Sequence, residues 1–348
     1  VRHFARGGHE VFVADSLRLP MARASNKVQA SFRVHEPKQQ TGLFIRDLAG
    51  IIAEHDIHLL VPTCEEIFFI ARFQEELGCE VFCDSFQKLE ALHNKYSFTS
   101  MVGDCGVQVP ETHWLESRQQ LEAFLEHAPA WVFKPVYSRF AAFTRIGANA
   151  AQRRIFGREL CSYGVAWRGC LRAVACYHPL YRLHKSSGVY FEPVAHAGVQ
   201  NFMARFVAKH GFHGQIGFDF IEAEDGSLHV IECNPRVTSG IHLFAAGDAL
   251  ALAFAAGGGA CQLATAGPKM LAPVMLTYSL ARAPWERGLR AFIKDYRRAT
   301  DAGHCVGDGK PSYYRYLGVL EVLLRSLARG ITPMEAATAD LEWDGERL

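Results

Sequence analysis

Several function classes are excluded by what this chain lacks. Its ten cysteines are scattered through 348 residues with no CxxC pair, and no signal-peptide pattern is recognisable. That rules against a disulfide framework or a zinc site and reads as reduced thiols in a cytoplasmic protein. Neither sign of charge dominates, with 37 Lys plus Arg against 36 Asp plus Glu. No broad field exists to steer nucleic acid or an anionic membrane, so any polyphosphate site must be local. Long apolar runs are missing too. The longest weakly polar stretch, Ala245 to Ala260, carries Asp248 and is rich in Ala and Gly. It is poor material for a membrane span and reads as a buried helix stopped by Gly257 to Gly259. Neither a P-loop motif nor GxGxxG occurs, so phosphate-cradle and dinucleotide readings lack direct support.

What is present is ordinary globular material, 49% hydrophobic and 21% charged, long enough for two or three lobes. Residues 1 to 93 alternate helix and strand: strands at His9 to Asp15, Ile57 to Val61 and Val81 to Cys83, and helices near Gly42 to His55 and around Ile67 to Phe69. This pattern predicts part of a doubly wound α/β sheet. Because the chain opens in a helix, the sheet is expected to need one further strand upstream of Val1. From Asn94 the pattern predicts helices at Tyr96 to Cys105 and Ser117 to His127, a strand at Trp131 to Lys134, a hairpin within Leu160 to Tyr177, and a helix at Gly198 to His210. Residues beyond about 265 show helical patterns at Trp285 to Thr300 and Tyr316 to Arg329, and say little about chemistry.

The strongest chemical feature is an acidic hairpin. Strands Gln215 to Ile221 and Leu228 to Cys233 flank the Asp-Gly turn of Ala223 to Ser227, which favours antiparallel pairing. Glu232 and Asn234, two apart, share a face, and the turn can bring Asp219 alongside. Three hard oxygen donors in apolar strands suit Mg²⁺. Arg236 follows and could meet charge developing on a phosphoryl or acyl centre.

This arrangement resembles the ATP-grasp superfamily, in which an acidic residue, a turn and then E-x-N-x-R close the metal site. The thirteen-residue step from Asp219 to Glu232 is similar to that of D-alanine ligases. The E-x-N-P-R string resembles carbamoyl phosphate synthetase large subunits and biotin carboxylases, and the carboxylate-amine ligases belong to the same group. The resemblance implies that Asp219, Glu232 and Asn234 hold Mg²⁺ or Mn²⁺. It makes Lys134, in WVFKP, and Lys95, in HNKYSF, the lysines on the phosphates of ATP. In AQRRIFGRE, Gln152 takes the place of the glutamate facing the adenine amine, the backbone at Arg154 and Ile155 gives the other adenine contacts, and Glu159 binds the ribose. Where the family carries a glycine-rich phosphate loop, this chain reads KPVYSRFAAFTRIG, leaving Ser138, Arg139 and Arg145 to contact phosphate. Glu65, Glu66, Ser239 and His242 are candidates for the acceptor side.

The implied architecture is a truncated doubly wound domain (1–93), a two-lobed ATP-grasp domain (94–265, with lobes of about 94–160 and 161–265) and a helical extension (266–348). The implied activity is carboxylate activation as an acyl phosphate and transfer to an amine or other nucleophile. A kinase-like or carbamate-activating enzyme, a nucleotide-binding protein without turnover and, from the first domain alone, a nicotinamide oxidoreductase remain alternatives. The implied partners are small-molecule carboxylates and nucleophiles, with a homodimer left open.

Overall fold

The computed structural model describes residues 1–125, 127–137, 149–183 and 187–346. Two short parallel pairs come first: β1 (Phe12–Asp15) with β2 (Ala30–Arg33), and β3 (Leu59–Leu60) with β4 (Glu80–Val81). Helix Thr41–Glu54 lies between the two pairs in sequence and helix Glu66–Arg72 between β3 and β4, and they bury Phe44, Ile45, Leu48 and Ile67 to Ala71. The helix-strand alternation of an α/β fold is therefore present, with strands shorter than their apolar runs. A three-stranded antiparallel sheet follows, in the order β5 (Thr112–Leu115), β7 (Asn149–Arg153), β6 (Trp131–Pro135).

The largest sheet has eight strands. In chain order these are β8 (Gly157–Trp167), β9 (Cys170–Leu183), β10 (Ser187–Pro193), β11 (Gly214–Ala223), β12 (Leu228–Asn234), β13 (Gln262–Leu263), β14 (Lys269–Met270) and β15 (Thr300–Asp301). They lie side by side as β12-β11-β8-β9-β10-β14-β15, with β13 on β9. The β8–β9 hairpin turns through Arg168 and Gly169, both with positive φ (44° and 87°), the requirement of a primed two-residue turn. The β11–β12 hairpin turns through Gly226 (φ 81°), with the Asp225 carboxylate accepting from Ser227 N at 2.9 Å.

Alternation along β11 decides which face does what. Ile216, Phe218 and Phe220 are buried with Phe202, Met203 and Phe206 of helix Ala197–His210, leaving Gly217 and Asp219 on the other face. That helix starts where the His196 ring accepts from Val199 N (3.1 Å) and stops at Gly211 in the left-handed region.

Two expectations need correction. Ala245 to Ala260 is not an α-helix; only Leu250–Phe254 coils, as a 3-10 turn. Asp248 accepts from Ala245 N (2.7 Å) and from the Thr265 hydroxyl (2.6 Å), so it holds a loop that alanine propensity would have made helical. The pattern at Trp285 to Thr300 is two helices, Leu280–Glu286 and Leu289–Arg298, separated at Gly288 with φ 84°. Among the described residues no helix is long and apolar enough to cross a membrane.

Candidate active site

The acidic wall is built by strand register. Tyr177 on β9 lies opposite Cys161 on β8, Cys161 opposite Asp219 on β11, and Asp219 opposite Glu232 on β12. Four polar side chains thus cross the sheet in one row. Gly217 pairs with Asn234, which puts Asn234 on the same face. The Asn234 amide donates to Asp219 at 3.4 Å. A Cβ on Gly217 would stand 2.4 Å from the Thr238 methyl and 2.7 Å from Ser162 O. Only glycine lets the segment after β12 lie this close, where the Thr238 hydroxyl donates to Ser162 O at 2.8 Å.

Burial, then the neighbouring Glu232 carboxylate, pushes Asp219 up to about 6; the Cys161 thiol, Arg182 and Lys134 act in the opposite direction. Two adjoining carboxylates with incomplete compensation are a cation site in waiting. Arg182 on β9 also pairs with Glu159, so it links the residue expected at the ribose to the acidic row. Glu159 opens onto a recess of about 460 Å³ also lined by His178, Tyr181, Glu286 and Arg287.

The basic wall is the small sheet. Lys134 near the end of β6 lies opposite Ala150 on β7, and its Nζ donates to the Gln152 carbonyl at 2.9 Å. Burial, then the nearby Lys95 charge, lowers the Lys134 pKa, against the pull of Glu232 and Asp219. Lys95 is buried, and its backbone N–H donates to Val136 O at 3.2 Å. Lys134 therefore lies within electrostatic reach of Lys95 on its own side and of Asp219 and Glu232 on the large sheet.

Gln152 is the seam between the walls. Its amide donates to Thr112 Oγ1 (3.2 Å) and to Ile231 O (3.4 Å). Pairing along β11 and β12 shifts at Asp219/Phe220, so that Ile231 has no opposite number, and a bulge of this kind re-aims the local backbone. An adenine amine would have to compete with Lys134 for the Gln152 carbonyl. Arg154 is exposed, with its N–H on Ala130 O (2.8 Å), and Ile155 is half-buried beside it. Ser138, Arg139 and Arg145 lie outside the described residues.

Arg236 is buried and committed. Its Nη2 donates to Asn234 Oδ1 (3.0 Å), its Nη1 to Val237 O (3.2 Å), and its Nε stands 3.3 Å from Glu65 Oε1. Glu65 in turn accepts from Trp343 N at 3.4 Å. Trp343 is buried, stacked on Phe68 (4.8 Å between ring centres) and edge-on to Tyr137 (5.0 Å). Residues near the C-terminal end thus buttress the site from behind. Of the other acceptor candidates, Glu66 is used locally, accepting from Thr63 N (2.7 Å) and Cys64 N (3.0 Å). Ser239 bonds to Tyr177 at the far end of the polar row. His242 is exposed, its ring 6.0 Å from that of Phe191.

Sequence reasoning missed Cys161, Tyr177, Arg182 and Trp343. The first three are placed by cross-strand register, which leaves no local spacing; an apolar C-terminal tryptophan was the one visible hint of the fourth.

No protein-family model matches the chain, and no curated protein matches it. Solved structures do. The L-amino acid ligase of Bacillus licheniformis is similar over 68% of this chain and 64% of its own, at 16% identity and a TM-score of 0.52. The N5-carboxyaminoimidazole synthetase of Staphylococcus aureus is similar over 73% of this chain and 72% of its own (11%, 0.55). The biotin carboxylase domain of Hydrogenobacter thermophilus 2-oxoglutarate carboxylase, solved with MgADP and bicarbonate, is similar over 68% of this chain and 61% of its own (11%, 0.55). The chain thus spans less than two thirds of the first and last of these, and identities this low establish a shared fold.

Proposed function

We propose, from the ATP-grasp fold that this chain shares with those enzymes, that it is an ATP-dependent ligase. In the proposed reaction a small-molecule carboxylate attacks the γ-phosphorus of ATP and releases ADP. The resulting acyl phosphate is captured by an amine or other nucleophile, and phosphate leaves. The observation that supports the reading is the nearness of Lys134 to Asp219 and Glu232, with Asn234 on the same face of the sheet as the two carboxylates. A Mg-nucleotide presents cationic and anionic parts that match those two sides.

The donor set fits Mg²⁺ or Mn²⁺ in its two carboxylates, Asp219 and Glu232, directly opposite each other; Asn234 turns its amide nitrogen to Asp219 and its oxygen to Arg236, and would join the set by turning its amide over. When bound, the ion would neutralise phosphate charge. Lys134 and Lys95 would hold phosphate oxygens as point charges, and Glu159 with Arg182 would border the ribose. Arg236 acts as a positioning residue in this reading, fixing Asn234 through its Oδ1 and itself fixed by Glu65. Residues 1–93, 94–265 and 266–348 would form the α/β domain, the ATP-grasp domain and the helical extension. The similarity of the L-amino acid ligase favours an amine acceptor over a reaction that stops at the phosphorylated product.

The test is an ADP-release screen over pooled carboxylic acids with and without pooled amines. The expected result is ADP release that requires one carboxylate and Mg²⁺, and that falls by about 10²–10³ in Glu232→Ala. Release that persists undiminished in that variant would overturn the reading.

A further inference from the structure

We infer that the helix Lys310–Arg329 is a dimerisation element, pairing with the same helix of a second copy of this chain. The helix is mounted with its polarity reversed. Arg315 pairs with Asp301 (2.6 Å), Arg329 with Glu36 (2.7 Å), and Arg325 with Glu321 (3.2 Å) and Asp340 (3.4 Å). The Glu321 carboxylate accepts from the backbone N–H groups of Arg18 and Leu19, both at 3.0 Å. Its charged side therefore faces the body of the protein, and these bonds fix its rotation.

The apolar side faces out. Tyr313, Tyr316, Leu320, Leu323 and Leu327 are all exposed, from 42% at Leu323 to 80% at Leu327. Their spacing of 3, 4, 3 and 4 residues is the a/d seam of a coiled coil, a pattern that an identical helix satisfies by knobs-into-holes packing. With the exposed Leu317 and Leu324 they occupy an arc of about 120° that contains no charged residue, at about 100° per residue. Side chains of this size and exposure present on the order of 800 Å², which is the contribution of one partner to a standard stable interface. A patch this large exceeds what monomeric soluble proteins ordinarily leave open.

A second copy fits better than a bilayer. Along the Leu317, Leu320 and Leu324 side runs a groove of about 510 Å³ whose wall includes Arg18, Arg33 and Glu36. Its charged lining is Arg18, Arg33, Arg325 and Arg329 with Glu36 and Glu321, and the helix's own charges are tied up against the body of the protein, whereas a helix lying on anionic lipid keeps a Lys/Arg-rich polar face free for the headgroups. A two-fold pairing centred on Leu320 sets Tyr313 of one copy against Leu327 of the other. The inference is independent of the nucleotide site.

The full-length chain should sediment at micromolar concentration with twice the chain mass. Leu320→Asp and, separately, Leu327→Asp should halve that mass while leaving the helical circular dichroism unchanged. Leu320→Cys should form an oxidative cross-link between identical positions, identified by peptide mass mapping against the background of Cys170 and Cys261. Three results would overturn the inference: monomer mass for the unmodified chain, dimer mass surviving both aspartate variants, or a monomer that co-sediments with phosphatidylcholine–phosphatidylserine vesicles.

Discussion

The acidic and basic walls of the site solve opposite problems by the same device. On the large sheet, Asp219 and Glu232 are set against each other by strand register, and burial together with the Glu232 carboxylate raises the cost of ionising Asp219. On the small sheet, burial and the charge of Lys95 make Lys134 costly to protonate. Each wall is a like-charge cluster held by its scaffold, and Lys134 relieves Asp219 only in part. A ligand that carries a cation on one side and anionic oxygens on the other would stabilise such an arrangement. The walls differ in their support. Asn234 is fixed by Arg236, Glu65 and Trp343, while among the described residues the Lys134 ammonium is bonded to the Gln152 side chain.

The largest way to break this difference is Trp343→Ala. Removing a buried indole that stacks on Phe68 and touches Tyr137 is expected to cost about 3–5 kcal/mol. It also uncovers the Glu65–Arg236 pair. The check is chemical denaturation with Trp343→Phe alongside, which should recover much of the loss.

The next effect depends on pH. Asp219 sits at about 6 in the folded protein against 3.8 as a model acid, so the folded state holds this proton more tightly than the unfolded chain. The stability it contributes is complete below about 3.8 and is lost as pH rises through about 6, amounting to at most about 3 kcal/mol. Asp15, likewise raised to about 6 by burial, loses stability over the same window. Between about pH 5 and about pH 7.5 the metal-free unmodified chain should therefore lose melting temperature relative to Asp219→Asn, in which the Asp219 contribution is absent and the Asp15 contribution remains. Mg²⁺ should raise the melting temperature at the higher pH in the unmodified chain alone. An identical pH profile for the two proteins would refute the like-charge description of this wall.

The smallest effect tests the seam. Gln152→Leu deletes the bonds to Lys134, Thr112 and Ile231 O, at about 1–2 kcal/mol. If Gln152 serves chiefly to hold Lys134, the affinity for inorganic triphosphate should fall along with that for ATP. If it serves adenine, the affinity for ATP alone should fall.

These contrasts also mark what was readable from the chain. Apolar alternation around an Asp-Gly turn located the β11–β12 hairpin, and the period of two put Glu232 and Asn234 on one face. The strands around Lys134 and the helix before Gly211 were legible for the same reason, since each pairs a periodic apolar pattern with a clear stop. Cys161, Tyr177 and Arg182 were not, because they meet Asp219 through the register of β8 and β9, which is set by packing across the sheet. The Ala-rich stretch misled, because its helix propensity was weaker than the turn that Asp248 builds. Helix Lys310–Arg329 was visible as a helix, but periodicity alone assigns an apolar stripe to the core, and the ion pairs that turn it outward come from Glu36, Asp301 and Asp340.

The central claim is that one ligand bridges the two walls, and calorimetric titration with ATP tests it most directly. The expected result is binding in the presence of Mg²⁺ that weakens at least about tenfold, roughly 1.4 kcal/mol, with EDTA, in Glu232→Ala and in Lys134→Ala alike, with no comparable binding of NAD. ATP affinity indifferent to Mg²⁺ and to both substitutions would contradict it.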